Sequence, residues 1–235
     1  MAIKKNLKTK IIEEKNEFDD HLLDIIGNEF KFDHEKGLAE WLKNSVDAYI
    51  RKGISDKNQY IIFRFYDRDK ENISFECIDF VGMDNDDITK AFKRWGDPNA
   101  SKRGINKKTF GGHGNGGKFY MRQMFKSSYF ITFKNNLLNI YGFNEKKKYG
   151  FADKYKDLNT SPEKALEIAN IDNLSIPSNI HKQILEGKTG FTVLRGNEPK
   201  GIKKKIRINN LIQKIKNHPQ AYNILSRISV SVIYL

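Results

Sequence analysis

Three side chains on one stretch have the types and spacing for chemistry on a charged substrate. In Gly37–Lys52, GLAEWLKNSVDAYIRK, a helical rotation of about 100° per residue stacks Glu40, Asn44 and Asp47 at i, i+4 and i+7. Leu38, Trp41, Leu42, Val46 and Tyr49 fall on the opposite, apolar side. A carboxylate, a carboxamide and a second carboxylate in a row, with no lysine between them on that stripe, suit the wall of a metal–phosphate site. The same pattern also suits an ordinary solvated helix face.

A second stretch bears on the choice. Gly112-His113-Gly114-Asn115-Gly116-Gly117-Lys118 fits two familiar patterns and fails both. It has the frame of a P-loop, but Phe119 stands where a Ser or Thr must meet Mg²⁺. It has the spacing of a dinucleotide fingerprint, but a polar loop precedes it rather than a strand. No Asp or Glu occurs from Pro98 to Asn144 to bind a ribose. What survives is physical. Clustered glycines expose backbone N–H groups to an anion, and a following helix adds its N-terminal dipole. Lys102, Arg103, Lys107, Lys108 and Lys118 surround the run. A triphosphate fits this environment; a tight turn without ligand is the alternative. In Asp79-Phe80-Val81-Gly82-Met83, a strand-end carboxylate could accept an N–H from a flat heterocycle lying over the glycine, although strand-to-turn junctions often carry Asp and Gly.

The elements that must position these groups follow from periodicity. Asn16–Gly27 has helical spacing, and Gly53 stops the Gly37–Lys52 helix. Tyr60–Tyr66 and Ile73–Phe80 form a β-hairpin. Asp84–Trp95 begins a short helix in acidic residues, Gly96–Lys108 is a loop, and a helix starts near Phe119. Tyr129–Phe133 and Leu137–Phe143 pair around Asn135–Asn136. Ser161 caps a helix at Pro162–Ala169 within an otherwise irregular stretch from Glu145 to Ile180. Thr189–Leu194 is a strand, Ile202–Lys216 an amphipathic helix and Ile228–Leu235 a β-like run. The expected organisation is a basic N-terminus over 1–15, one domain over 16–200, and a segment over 201–235 that begins a following region.

Composition narrows the function classes. The chain has 235 residues, 38% hydrophobic and 30% charged, with a net charge of +13. That charge suits an anionic partner (nucleotide, nucleic acid or acidic membrane surface) or serves solubility alone. A single cysteine, Cys77, excludes an intramolecular disulfide and suits a reducing compartment. No signal peptide and no membrane-spanning apolar run is present, so a cytoplasmic protein is expected, with no membrane partner. His21, His34, His113, His181 and His218 are scattered, and no metal cluster is visible. The lysines Lys203–Lys205 could touch nucleic acid, but no aromatic interleaving accompanies them.

The order of the pieces is itself a pattern: a Glu-x-x-x-Asn-Ser-x-Asp-Ala helix, a strand ending in Asp with Gly-Met after it, a loop leading into clustered glycines, and a late strand with Gly190 and Thr192. This resembles the Bergerat-fold (GHKL) ATPases, with the microrchidia (MORC) and heat-shock-90-type ATPases nearest, over about Glu35–Arg195. The resemblance implies an α/β (α+β) two-layer sandwich, a mixed and mostly antiparallel sheet with helices on one face. It implies Mg²⁺-dependent ATP hydrolysis that drives a conformational or dimerisation switch in a larger protein. Glu40 would be the general base, Asn44 the Mg²⁺ ligand, and Asp47 its support. Asp79 would read the adenine amino group, with Gly82 and Met83 lining the base pocket. Gly112, His113, Gly114, Asn115, Gly116 and Gly117 would form the phosphate lid, and Lys118 would reach the phosphates. Two departures stand out. The usual Asp-x-Gly-x-Gly is shortened to Asp79-Phe80-Val81-Gly82. The usual Gly-Thr is Gly190-Phe191-Thr192, where alternation turns Thr192 to the face opposite the expected one, leaving Thr189 and Thr192 as candidates. A non-hydrolysing nucleotide-binding or basic nucleic-acid-binding module is the alternative function.

Overall fold

The computed structural model describes residues 25, 33–66, 73–93, 116–202 and 208–235. The helix expected at Gly37–Lys52 is α1, His34–Arg51. It starts earlier than expected because Asp33 caps it, its side chain accepting from the Lys36 N–H. It stops as expected, with Gly53 at φ 72° and the Gly53 and Ile54 amides turned back to Ile50 and Tyr49.

The first hairpin forms β1 (Tyr60–Tyr66) and β2 (Ser74–Asp79), antiparallel. Asp84 and Asp87 make a reciprocal capping box on α2 (Asn85–Ile88), which continues as one π turn, Thr89–Lys93. After α3 (Gly116–Met124) come β3 (Phe125–Lys134) and β4 (Leu137–Phe143). Asn135 and Asn136 sit at φ 52° and 60° between them, the left-handed pair that a two-residue hairpin loop requires. Two short strands, β5 (Tyr149–Phe151) and β6 (Leu158–Asn159), precede α4 (Pro162–Ile168, capped by Ser161) and α5 (Ser178–Leu185). The chain ends in β7 (Phe191–Pro199), α6 (Ile208–Asn217), α7 (Pro219–Leu225) and β8 (Ser229–Tyr234). Apart from Ile25, the helix expected near Asn16–Gly27 and the loop Gly96–Lys108 lie outside the described residues.

The strands form one eight-stranded sheet, β5-β4-β3-β7-β2-β1-β8, with β6 against β4. Every pair is antiparallel except β1 with β8, which is parallel. The mixed, mostly antiparallel α+β sandwich is therefore what the chain forms. Alternation sorts the core into two sets. Ile61, Phe63, Phe75, Cys77, Phe130 and Leu194 face α1 and α3, where Trp41 stacks on Phe125 at 5.5 Å. Ile62, Ile78, Ile131, Leu138 and Val193 face the other way and are covered in part by Ala165, Leu166, Ile180 and Ile184 of α4 and α5. The layer containing the long helix α1 thus lies on one face, and two short helices, one of them unanticipated, close part of the other. Among the described residues no helix is long and apolar enough to cross a membrane.

Candidate functional site

The polar stripe of α1 does not face solvent. Asp47 is fully buried, and Glu40 and Asn44 are half-buried. The reason is α3, whose first residues lie directly on the stripe. A Cβ added to Gly116 would sit 2.5 Å from Glu40 Oε2, and one on Gly117 would strike the Asn44 carboxamide nitrogen. The absence of a Cβ at both positions makes room for the ends of the Glu40 and Asn44 side chains. The N-terminus of α3 therefore meets Glu40 and Asn44 with its partial positive charge. Farther along, Gly37 accommodates the Tyr120 ring, and the buried His34 locks the ends of the pair together. His34 Nε2–H donates to the Lys200 carbonyl at 2.8 Å. That fixes the tautomer and leaves Nδ1 to accept the Tyr120 hydroxyl at 2.9 Å. Burial pushes the His34 pKa down, keeping the ring neutral.

One feature of the stripe differs from the sequence expectation. Lys43 is buried and bridges Glu40 Oε1 at 2.5 Å. A cation is thus present beside the stripe, because i and i+3 positions are neighbours on a helix surface. Lys118, in the first turn of α3, is also buried. Gly112, His113, Gly114 and Asn115 lie outside the described residues, as do Lys102, Arg103, Lys107 and Lys108.

The second half of the site is at the end of β2. Asp79 is buried, accepting from the Ser45 hydroxyl at 3.0 Å and the Val81 N–H at 3.2 Å. Ser45 directly follows Asn44, so one helix carries groups toward both halves. Burial raises the Asp79 pKa to about 6, against the Ser45 and Val81 hydrogen bonds and the Arg51 charge that favour its ionised form. A carboxyl group buried at this cost among polar side chains is a functional-site signal.

Register corrects the expected direction of Thr192. It lies directly across from Asp79 on β7 and so shares its face, the one covered by α1. Alternation from Gly190 alone points it to the opposite face, because the position of the strand relative to β2 is not contained in its own sequence. Thr189 instead donates its hydroxyl to the Phe80 carbonyl at 2.6 Å. Thr192 in turn opposes Thr132 on β3, and Thr132 opposes Asn139 on β4. A buried polar row, Asp79–Thr192–Thr132–Asn139, crosses four strands of an otherwise apolar face. Thr132 Oγ1 lies 3.1 Å from Thr192 Oγ1 and accepts the Met83 N–H at 2.7 Å. Gly82 has φ 74°, and a Cβ there would strike the Phe133 carbonyl and come within 3.1 Å of the Gly190 Cα. The shortened Asp79–Gly82 segment is thus held against β3 and β7, with Met83 half-buried beside the row.

Ser45, Thr132 and Asn139 were not singled out from sequence. The available signal was a lone polar residue at a core-facing position of an apolar strand, Thr132 in YFITF and Asn139 in LLNIYGF. Among the described residues no group of three or more His, Cys, Asp or Glu is arranged to hold a metal ion. The site can therefore offer oxygen donors at one end, from Glu40 and Asn44, and hydrogen-bonding groups set in an apolar wall at the other.

No protein-family model matches this chain, and no curated protein matches it. Among solved structures it is similar to one described as the crystal structure of the N terminal domain of a DNA repair protein. That match has 16% identity and a TM-score of 0.44, and it covers 91% of this chain and 52% of the other. The chain thus spans about half the length of that structure.

Proposed function

We propose that this chain binds ATP with Mg²⁺ and hydrolyses it slowly, as a GHKL-type domain driving a conformational or dimerisation switch. The observation that carries the reading is the seating of Gly116 and Gly117 on Glu40 and Asn44. It brings a helix N-terminus, a carboxylate and a carboxamide to one place, the combination that a metal-bound phosphate chain needs. The donors fit the metal, since the Asn44 carbonyl oxygen is a hard ligand and phosphate oxygens complete such a shell. When bound, Mg²⁺ would neutralise charge on the phosphates. Glu40 would accept the proton of the attacking water, and the α3 amides would stabilise charge on the γ-phosphoryl oxygens. At the other end, Asp79 would accept the exocyclic amino N–H of adenine, with Thr192, Met83 and Gly82 around the ring.

The test is ATP binding and turnover in the wild type, Glu40→Ala and Asn44→Ala. Glu40→Ala should keep affinity and lose hydrolysis, whereas Asn44→Ala should lose Mg²⁺-dependent affinity. A wild type without nucleotide affinity in the presence of Mg²⁺ sinks the proposal. The Glu40–Lys43 ion pair favours a second reading, nucleotide binding without turnover, because the Lys43 ammonium already occupies one oxygen of the carboxylate. Turnover indistinguishable between wild type and Glu40→Ala would select it. The net charge of +13 supports a nucleic acid as a further partner, and DNA or RNA binding that falls with added salt would show it.

A further inference from the structure

The sheet stops at β8, which pairs with β1 on one side and has no strand on the other among the described residues. Its hydrogen-bonding phase can be read directly. Ser229 N–H donates to the Gln59 carbonyl and Leu235 N–H to the Phe65 carbonyl. In a parallel ladder the residues between them, at period two, turn their N–H and C=O groups away. The Val230 and Val232 amides therefore point out along the open edge.

The same two residues turn their side chains into a groove of about 520 Å³ between the sheet and α6–α7, bounded by Phe63, Phe65, Tyr222 and Leu225. Tyr222 is 65% exposed and Val232 40% exposed, both large apolar groups left in solvent at its mouth. Sheet edges are ordinarily blunted by a charge, a proline or a bulge. β8, SVSVIY, has none of these. The opposite edge is blunted, since β5 is three residues long and follows Lys146, Lys147 and Lys148. The rim of the groove is cationic. Lys216 lines it and Arg227 stands just ahead of β8, both exposed and without an acidic partner among the described residues.

We propose that the open edge of β8 receives an extended, acidic–apolar segment of a partner protein by strand addition. The partner's backbone would continue the sheet at Val230 and Val232. Its alternate apolar side chains would enter the groove beneath Tyr222, and carboxylates flanking the paired segment would meet Lys216 and Arg227. Charge complementarity selects this occupant over a second copy of the chain, which would bring the same two cations to the same rim. This proposal does not depend on the nucleotide site.

The test uses a fluorescein-labelled peptide of about seven residues, two valines separated by a threonine and flanked on each side by glutamates, titrated with the whole chain. Fluorescence anisotropy should show saturable binding. Two changes should each weaken it at least tenfold: methylating alternate peptide amides, which blocks strand addition, and the double substitution Lys216→Glu with Arg227→Glu. Both positions are exposed, so circular dichroism should show the variant folded, and Val232→Lys gives an independent block. No saturable binding, equal binding of the methylated peptide, or equal binding of a version with lysine for glutamate overturns the proposal. So does self-association that Val232→Lys abolishes, which would make a second copy the occupant.

Discussion

Asp79→Asn should make this protein more stable while removing the carboxylate proposed to read the adenine base. Burial raises the Asp79 pKa to about 6 from an ordinary 3.8. The folded state thus holds this proton more tightly than the unfolded state does. Stability from this group is greatest at low pH, is lost as pH rises from 3.8 through 6, and stays low above 6. A separation of about two units corresponds to about 3 kcal/mol of penalty at pH 8. Asparagine is isosteric and uncharged and escapes that penalty. It can keep both hydrogen bonds, because Val81 N–H can still donate to its carbonyl oxygen. The Ser45 hydroxyl can rotate to accept from the new amide and turn its proton toward Cys77 Sγ, 3.7 Å away. Loss of the charge-assisted character of these bonds costs about 1 kcal/mol. The net expectation is a gain of about 1–2 kcal/mol at pH 8, shrinking below pH 6 and vanishing near pH 4. Urea denaturation of both proteins at pH 8, 6 and 4.5 measures it. A variant that is equally or less stable at pH 8, with a difference that does not change with pH, refutes the reasoning. It would mean that Arg51, or another cation, compensates the carboxylate fully. The same variant should lose adenine nucleotide affinity, since it can turn a donor toward the exocyclic amino group.

Three further substitutions probe the packing around the site. Gly117→Ala places a methyl group on the Asn44 carboxamide; it should abolish Mg²⁺-dependent nucleotide binding, measured by calorimetry, with less effect on the urea midpoint. Gly190→Ala drives a Cβ into the Phe133 carbonyl, a backbone atom that cannot move aside, and should destabilise by roughly 2 kcal/mol or more in thermal unfolding. Tyr120→Phe removes the hydroxyl that His34 Nδ1 accepts and leaves a buried acceptor unpaired, so it should cost about 1–3 kcal/mol at pH 8.

What the sequence makes legible here is local period, and what it hides is position across the sheet. The α1 stripe was visible because Glu40, Asn44 and Asp47 are separated by one and two turns, and Leu38, Trp41, Leu42, Val46 and Tyr49 are all buried on the far side. Asn135–Asn136 announced its own turn, and Asp84 and Asp87 their own cap, because these interactions close within four residues. The face of Thr192 was illegible for the opposite reason. It depends on register against β2, a strand more than a hundred residues earlier, and a one-residue slip reverses it. The parallel pairing of β8 with β1 is equally non-local. Thr132 and Asn139 sit between these limits. Each is an unexplained polar residue in an apolar strand, so the anomaly is readable, but its meaning appears only when four strands align Asp79, Thr192, Thr132 and Asn139 into one row. That row also holds the Asp79–Gly82 turn in place. Thr132 reaches across from β3 to hold the Met83 amide, and the Gly82–Gly190 contact fixes the turn. The position of this turn is therefore set by a side-chain hydrogen bond and a glycine–glycine contact from neighbouring strands, which no local stretch of sequence contains.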